Sequence, residues 1–137
     1  MTTDAEKAYL RAVKILSASD NTPIALYRKL CEKGVAEEDA ASAVNRLIEE
    51  KLLDEKKLLE KTVTDLYEKR YGPAYIRAAL RKKRFSKGAI SEAERILSGL
   101  DFDPARQSLI EELYLSGADE KKTAAALIRR GFEPEDI

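Results

Sequence analysis

One short element occurs three times in this sequence, at a spacing of about fifty residues. Residues 30–35 (LCEKGV) align with residues 80–85 (LRKKRF) and with residues 127–132 (LIRRGF), at offsets of 50 and 47 residues. A repeat of this length is typical of tandem helical modules, which stack because one copy alone cannot bury its apolar face. The chain is therefore expected to consist of repeated helical units.

The apolar residues recur every three or four positions, which predicts helices and not strands. Proline is tolerated in a first helical turn, and glycine ends helices because it reaches left-handed dihedral angles at low cost. The predicted starts are Thr22-Pro23, Gly72-Pro73, Asp103-Pro104 and Glu133-Pro134, and the predicted stops are Gly34, Gly72, Gly99, Gly117 and Gly131. This punctuation predicts about eight helices, with a ninth beginning at Pro134.

Apolar side chains at helical spacing are expected to face the core of each unit. Those predicted to point inward include Tyr9, Val13, Leu16, Leu30, Val44, Leu47, Ile48, Leu80, Tyr114, Leu127 and Ile128. Acidic residues near Asp39, Asp54 and Asp103 fall at predicted helix starts, where carboxylates cap the helix and oppose its dipole. We therefore expect these acidic clusters to be structural.

The fold class predicted from these patterns is all-α, built from tandem three-helix-bundle repeats that form an elongated, curved helical array. The predicted repeats span 1–53, 54–101 and 102–137, and the third repeat is incomplete because its last helix is missing. A concave face of such an array is the expected binding surface. In the third repeat, one apolar face is expected to remain uncovered.

Several functional classes are disfavoured by what the sequence lacks. Histidine is absent, which removes the commonest general base and metal ligand. Cys31 is the only cysteine, and glycine is confined to predicted helix ends, so neither a cysteine metal site nor a phosphate-binding glycine loop is expected. The N-terminus has no secretion-signal pattern, and no apolar segment is long enough for a membrane span. We expect a cytoplasmic protein that is not an enzyme, needs no cofactor or metal, and makes no membrane contact.

Positive charge is concentrated in the middle of the chain, although 25 basic and 25 acidic residues cancel overall. The segment 69–91 contains no Asp or Glu, and its basic residues are Lys69, Arg70, Arg77, Arg81, Lys82, Lys83, Arg84 and Lys87. Arg77, Arg81 and Arg84 have the spacing i, i+4 and i+7, so they are predicted to share one face of the fifth helix. This segment is the strongest candidate for contact with phosphate or with an acidic protein surface.

Two further features near the ends of predicted helices are weaker candidates. Arg129 and Arg130 lie in the last turn of the eighth helix, where they either contact the same partner or simply oppose the helix dipole. Tyr67, Tyr71 and Tyr75 flank the Gly72-Pro73 break, where a base or a partner side chain has room to pack on them. The structural alternative is that at least two of these tyrosines are core residues. The basic run has a structural alternative too, as solvated helix flanks.

Four segments of the chain resemble the RecX family of recombinase regulators. Residues 25–34 end a leucine-rich helix in a Lys-Gly pair, and residues 44–54 lead into a turn similar to the family's Leu-Asp-Asp. Residues 70–76 are similar to the family's Gly-Pro-x-x-Ile helix start, and residues 128–137 match its Arg-Arg-Gly-Phe ending. The order and spacing of these segments carry the resemblance across nearly the whole chain. It departs from the family at Glu55 and at Lys83-Arg84-Phe85, where a second Asp and Lys-Gly-Ile are usual.

The resemblance implies a protein that binds the RecA recombinase filament along its groove and inhibits ATP hydrolysis, strand exchange and co-protease activity. It would thereby modulate DNA repair, recombination and the SOS response, acting as a monomer. Single- or double-stranded DNA is an expected partner, mainly within the filament. Two alternatives remain, namely a helical DNA-binding module related to helix-turn-helix domains and a protein-interaction scaffold without nucleic-acid contact. Naked-DNA binding that falls steeply with salt distinguishes the first, and salt-insensitive association distinguishes the second.

Overall fold

The computed structural model describes residues 2–133, in which eight α-helices and no β-strands are found. The helices are α1 (Asp4–Ala18), α2 (Pro23–Glu32), α3 (Glu37–Glu49), α4 (Glu55–Glu68), α5 (Pro73–Lys82), α6 (Lys87–Ser98), α7 (Asp103–Leu115) and α8 (Glu120–Arg129). The all-α prediction and the eight helices are confirmed. The ninth helix predicted from Pro134 lies outside the described residues. Within the described part, no helix is long and apolar enough to cross a bilayer.

Local capping explains where several helices begin. The hydroxyl of Thr3 accepts a hydrogen bond from the Glu6 N–H group at 3.1 Å, and the Asp119 carboxylate accepts one from the Lys122 N–H group at 2.8 Å. Pro23 and Pro73 are the first residues of α2 and α5, where their missing N–H group costs nothing. Three of the four helix starts predicted at proline are confirmed.

The repeated element has the same position and burial in three helices. Leu30, Leu80 and Leu127 are each third from the end of a ten-residue helix, and each is at most 1% exposed. Burying a leucine side chain is worth roughly 1.5–3 kcal/mol. The three leucines that align in the sequence repeat therefore occupy equivalent core positions in the structure.

Left-handed residues end several helices, and only some of them are glycines. Gly34, Gly117 and Gly131 have φ angles of 88°, 86° and 95°, as their predicted role requires. Arg70 and Arg84 also have positive φ angles, of 64° and 62°. These two arginines are helix ends that glycine positions alone did not reveal.

The prediction that Gly72 stops a helix is wrong, because α4 ends at Glu68 and the left-handed residue is Arg70. Gly72 is needed for a close backbone contact. Its N–H group donates to the carbonyl of Arg130 at 2.7 Å, and the Ala74 N–H group donates to the carbonyl of Gly131 at 3.0 Å. The carbonyls that end α8 thus satisfy free N–H groups at the start of α5, which a side chain at Gly72 would prevent.

The chain forms two compact units, and the first comprises Met1–Leu58 with Lys83–Ser86. Its main cluster of buried apolar residues comes from α1, α2 and α3, with one residue from the turn that follows α3: Ala8, Ala12, Leu26, Leu30, Ala40, Ala43, Val44, Leu47 and Leu53. The short second segment contains one buried apolar residue, Phe85, and also makes polar contacts. The Thr22 hydroxyl donates to the carbonyl of Lys83 at 2.8 Å, and the hydroxyl of Ser86 donates to the Glu55 carboxylate at 2.6 Å.

The second unit comprises Leu59–Lys82 with Lys87–Ile137. Its buried apolar residues include Leu59, Val63, Ile76, Leu80, Ala89, Ala93, Leu97, Leu109, Leu127 and Phe132. Leu109, Leu127 and Phe132 form a cluster against which Phe102 packs. The three-repeat boundaries proposed from the sequence stay a prediction.

The helical spacing misplaced some inward-facing residues. Ile48, Tyr114 and Ile128 were expected in the core, but they are 43%, 78% and 50% exposed. In α1 the prediction holds: Tyr9, Val13 and Leu16 are half-buried and pack against the core, beside the fully buried Ala8 and Ala12. Ile48, Tyr114 and Ile128 are exposed because the polar residues of a folded chain cannot cover its whole surface, so helical spacing alone does not decide which apolar residues are buried.

Candidate binding surface

Most of the predicted site residues belong to the second unit, and seven of the ten are exposed. Eight lie in the second unit, whereas Lys83 and Arg84 lie in the short segment assigned to the first. The seven exposed residues are Lys69, Arg81, Lys82, Lys83, Arg84, Lys87 and Arg129. None of the seven forms a salt bridge with another residue of the described part. Their charges therefore face solvent, where an anion is free to approach.

Arg77 is not free, because α6 supplies a partner for it. Its Nε and Nη2 atoms donate to the two carboxylate oxygens of Glu94 at 2.8 and 3.1 Å. This hydrogen bonding lowers the pKa of Glu94 and raises the pKa of Arg77. A fork of two parallel hydrogen bonds fixes the guanidinium, so Arg77 has largely an intramolecular role.

The predicted arginine face on the fifth helix is shorter than the sequence suggested. Arg77 and Arg81 lie on α5 one turn apart, but α5 ends at Lys82 and Arg84 has a φ angle of 62°. A left-handed residue redirects the chain, so Arg84 does not continue the helical face. The prediction that Arg77, Arg81 and Arg84 share one face is therefore wrong. The exposed cations on α5 itself are Arg81 and Lys82.

Arg70 and Arg130 are likewise engaged within the second unit. Arg70 Nη1 lies 2.7 Å from a carboxylate oxygen of Glu112 and donates to the Ser108 hydroxyl at 3.0 Å. Arg130 Nη2 donates to the carbonyl of Lys69, and its guanidinium lies 3.8 Å above the ring of Tyr71. Cation–π contacts of this kind are worth about 0.5–2 kcal/mol. The structural interpretation of these two arginines is the better supported one.

A groove of about 400 Å³ runs between α7 and α8. Its lining combines apolar and charged residues: Arg70, Leu109, Glu112, Leu113, Ser116, Ala126, Leu127, Arg129 and Arg130. The structure thus brings three of the predicted basic residues to one groove, namely Arg70, Arg129 and Arg130. Of these, Arg129 is exposed and has no salt bridge to a described residue.

The three tyrosines near the Gly72-Pro73 break have different environments, and none is fully buried. Tyr67 packs edge-on against Phe102 at a centroid distance of 5.3 Å, and its hydroxyl donates to the carbonyl of Asp101 at 2.6 Å. Tyr71 and Tyr75 are stacked, with centroids 3.9 Å apart and planes 13° apart. The expectation that at least two of them are core residues is wrong, since Tyr67 and Tyr71 are half-buried and Tyr75 is exposed.

Sequence reasoning missed the residues that decide which arginines are free. Glu94 and Glu112 are far from their arginine partners in the chain, and no spacing rule connects them. The Tyr71–Tyr75 stack was missed for a different reason: the two residues are close in the chain, but Gly72-Pro73 interrupts the helical register between the two rings. Among residues 2–133, no three His, Cys, Asp or Glu side chains are grouped as a metal site requires.

These features define a class, namely an all-helical repeat protein with exposed cationic residues. Regulatory protein RecX of Xanthomonas campestris pv. campestris is 30% identical over 131 residues, which span 93% of this chain and 81% of the relative. Regulatory protein RecX of Trichlorobacter lovleyi is 32% identical over 139 residues, which span 94% of this chain and 90% of the relative. No protein-family profile matches the chain.

Solved structures give the same result. The crystal structure of RecX from Lactobacillus salivarius superimposes with a TM-score of 0.78 at 25% identity, covering 95% of this chain and 89% of that one. A second RecX crystal structure has the same fold, with a TM-score of 0.74 at 23% identity. The chain belongs to the RecX family of regulatory proteins, as the four sequence segments implied.

Proposed function

We propose that this protein regulates the RecA recombinase by binding the RecA–DNA filament and inhibiting ATP hydrolysis, strand exchange and co-protease activity. It would thereby limit recombinational DNA repair and the SOS response. The support is its membership of the RecX family across 93% of the chain. We propose that it acts in the cytoplasm as a monomer of three repeats, without a cofactor and without catalysing a reaction itself.

The observation that carries a charge-dependent mechanism is the pair of exposed cations at the end of α5. Arg81 and Lys82 are exposed and form no salt bridge with the described residues, whereas Arg77 is held by Glu94. A surface cation without a salt bridge loses little on binding an anion; Arg81 gives up only a longer-range attraction to Glu94. Each phosphate that such a residue neutralises also releases counterions, which favours binding at low salt.

A filament on DNA offers both kinds of anion that this surface fits. DNA phosphates and acidic protein side chains both attract Lys and Arg, and a protein filament on DNA contains both kinds of group. Arg129, an exposed residue that lines the groove between α7 and α8, is a further candidate contact. We propose that Arg81, Lys82 and Arg129 make direct contacts, while Arg70, Arg77 and Arg130 support the fold.

The test is DNA-dependent ATP hydrolysis by the RecA protein of the same organism. Wild-type protein is expected to slow hydrolysis at near-stoichiometric levels. The double variant Arg81→Glu/Lys82→Glu is expected to relieve this inhibition. The matched control is Lys121→Glu/Lys122→Glu, which makes the same change in net charge on two exposed residues of the second unit.

An unchanged hydrolysis rate at saturating wild-type protein would refute the proposed function. Equal loss of inhibition in both double variants would refute a specific role for Arg81 and Lys82, since net charge alone would then decide. Two further outcomes favour the alternatives. Tight, salt-sensitive binding to naked duplex DNA without an effect on RecA supports a DNA-binding module. Inhibition that changes neither with the charge reversal nor with salt concentration supports a protein-interaction scaffold without nucleic-acid contact.

A further inference from the structure

Tyr71, Tyr75 and Arg130 form a three-layer stack in the second unit. The two rings lie 3.9 Å apart and nearly parallel, and the Arg130 guanidinium lies 3.8 Å from the centre of the Tyr71 ring. Two groups cannot both be centred over one face of a ring at this distance. Arg130 therefore covers one face of Tyr71, and Tyr75 covers the other.

The stack is held in place by the backbone beside it. Hydrogen bonds join the Gly72 N–H group to the Arg130 carbonyl and the Ala74 N–H group to the Gly131 carbonyl. The Arg130 guanidinium also donates to the carbonyl of Lys69. These contacts fix the residues on either side of the two tyrosines, so the rings need not be ordered when a ligand binds.

The outer layer of the stack is accessible. Tyr75 is 38% exposed although Tyr71 covers one face of its ring, so part of this side chain is available to a ligand. Ala78, Ala79 and Lys82 follow at i+3, i+4 and i+7, on the same face of α5 as Tyr75. Two small residues leave room beside the ring, and Lys82 places a free ammonium group about 10 Å further along the helix.

We propose that the outer face of Tyr75 stacks on an unpaired base of single-stranded DNA, with Lys82 contacting a phosphate of the same strand. An aromatic ring backed by a second ring and a guanidinium is the arrangement that stacks on bases irrespective of their identity. Duplex DNA covers both faces of each base pair, so only a single strand offers the required surface. This inference deepens the proposed function, because it names the part of the filament that this surface contacts.

The test measures binding of a fluorescein-labelled oligothymidylate by fluorescence anisotropy. Tyr75→Ala is expected to weaken binding by roughly tenfold, the loss expected for one stacked base. Tyr75→Phe keeps the ring and is expected to bind like wild type. Tyr114→Ala is the matched control, because Tyr114 is 78% exposed and lies outside the stack. Thermal unfolding of each variant checks that the fold is retained.

The dependence of binding on salt separates stacking from charge. Tyr75→Ala is expected to lower affinity without changing the slope of log affinity against log salt, whereas Lys82→Gln is expected to make that slope shallower. A photoreactive oligonucleotide containing 5-iodouracil is expected to cross-link to Tyr75. Tyr75→Ala binding within about twofold of wild type, or cross-links that avoid Tyr75, would overturn the inference.

Failure of this inference is distinguishable from failure of the proposed function. If wild-type protein slows RecA but does not bind the oligothymidylate, the base-stacking site is wrong and the regulatory function stands. If Tyr75 supports oligothymidylate binding but RecA is unaffected, the base-stacking site stands and the proposed regulatory function is wrong. Binding of single strands that does not depend on Tyr75 would overturn the inference. Loss of RecA inhibition in Tyr75→Ala, without any binding to single strands, would overturn it too and would assign the ring to a protein contact.

Discussion

Replacing Gly72 with alanine is expected to destabilise the second unit by about 2–5 kcal/mol. The new Cβ atom would lie 2.5 Å from the carbonyl carbon of Gly131 and 2.7 Å from the backbone nitrogen of Phe132. Both are backbone atoms, so α5 and the end of α8 must move apart. That movement breaks the two hydrogen bonds made by the N–H groups of Gly72 and Ala74.

The magnitude follows from three terms. Each lost backbone hydrogen bond costs about 1 kcal/mol, and forcing an extra methyl group into a packed site costs roughly 1–3 kcal/mol. Restricting the unfolded chain offsets about 0.4–1 kcal/mol of this. Gly72 has no positive φ angle, so the substitution adds no left-handed strain, and the whole effect arises from the close approach.

Gly99→Ala is the matched control for this prediction. It also has no positive φ angle, but the nearest atom to its added Cβ would be the carbonyl oxygen of Ile96 at 3.6 Å, an ordinary contact. We expect it to be neutral or slightly stabilising. Urea unfolding followed by far-ultraviolet circular dichroism measures both variants. If Gly72→Ala is as stable as Gly99→Ala, the contact between α5 and α8 is not the reason for glycine at position 72.

Two further variants test contacts at other positions. Thr22→Ala is expected to lower stability by about 1–2 kcal/mol in thermal unfolding. The buried hydroxyl accepts a hydrogen bond from the Ala25 N–H group and donates one to the Lys83 carbonyl. Thr22→Ser keeps the hydroxyl and is expected to retain most of this stability. A serine variant as unstable as the alanine variant would contradict this role of the hydroxyl. Hydrogen bonding from Arg77 holds the pKa of Glu94 below its ordinary 4.5, so the ion pair stabilises the folded state above that pH and the stabilisation is lost as the pH falls through the lowered pKa. Since both side chains are partly exposed, Glu94→Gln is expected to lower stability by no more than about 1 kcal/mol at neutral pH and by almost nothing in strong acid. Urea titrations at both pH values measure this loss. A loss of stability that does not change with pH would contradict the reasoning.

Local rules predicted most of the secondary structure. Prolines at positions 23 and 73 mark helix starts because the missing donor is unsatisfied there in any case, and Gly34 and Gly131 mark helix ends because they adopt positive φ angles. These properties depend on a few neighbouring residues. The end of α4 at a left-handed Arg70 could not be predicted, because an arginine in that conformation is held by the surrounding structure and not by its own preference.

The candidate site was only partly predictable. The sequence located the cationic segment, and Arg81 and Lys82 are exposed as a binding role requires. It could not show that Arg77 pairs with Glu94 or that Arg70 pairs with Glu112, since each pair joins different helices. An arginine with an internal partner and one without have the same local sequence signature.

By itself the sequence determined the helices, the threefold correspondence of Leu30, Leu80 and Leu127, and membership of the RecX family, because each of these depends on residues read in order along the chain. Only the tertiary structure decided which cations remain available, why Gly72 is a glycine, and that Tyr71 and Tyr75 stack beneath Arg130. The physical reason is that these properties depend on distances between groups brought together by packing. A chain's local pattern sets the conformation of each segment, but it does not set which segments meet.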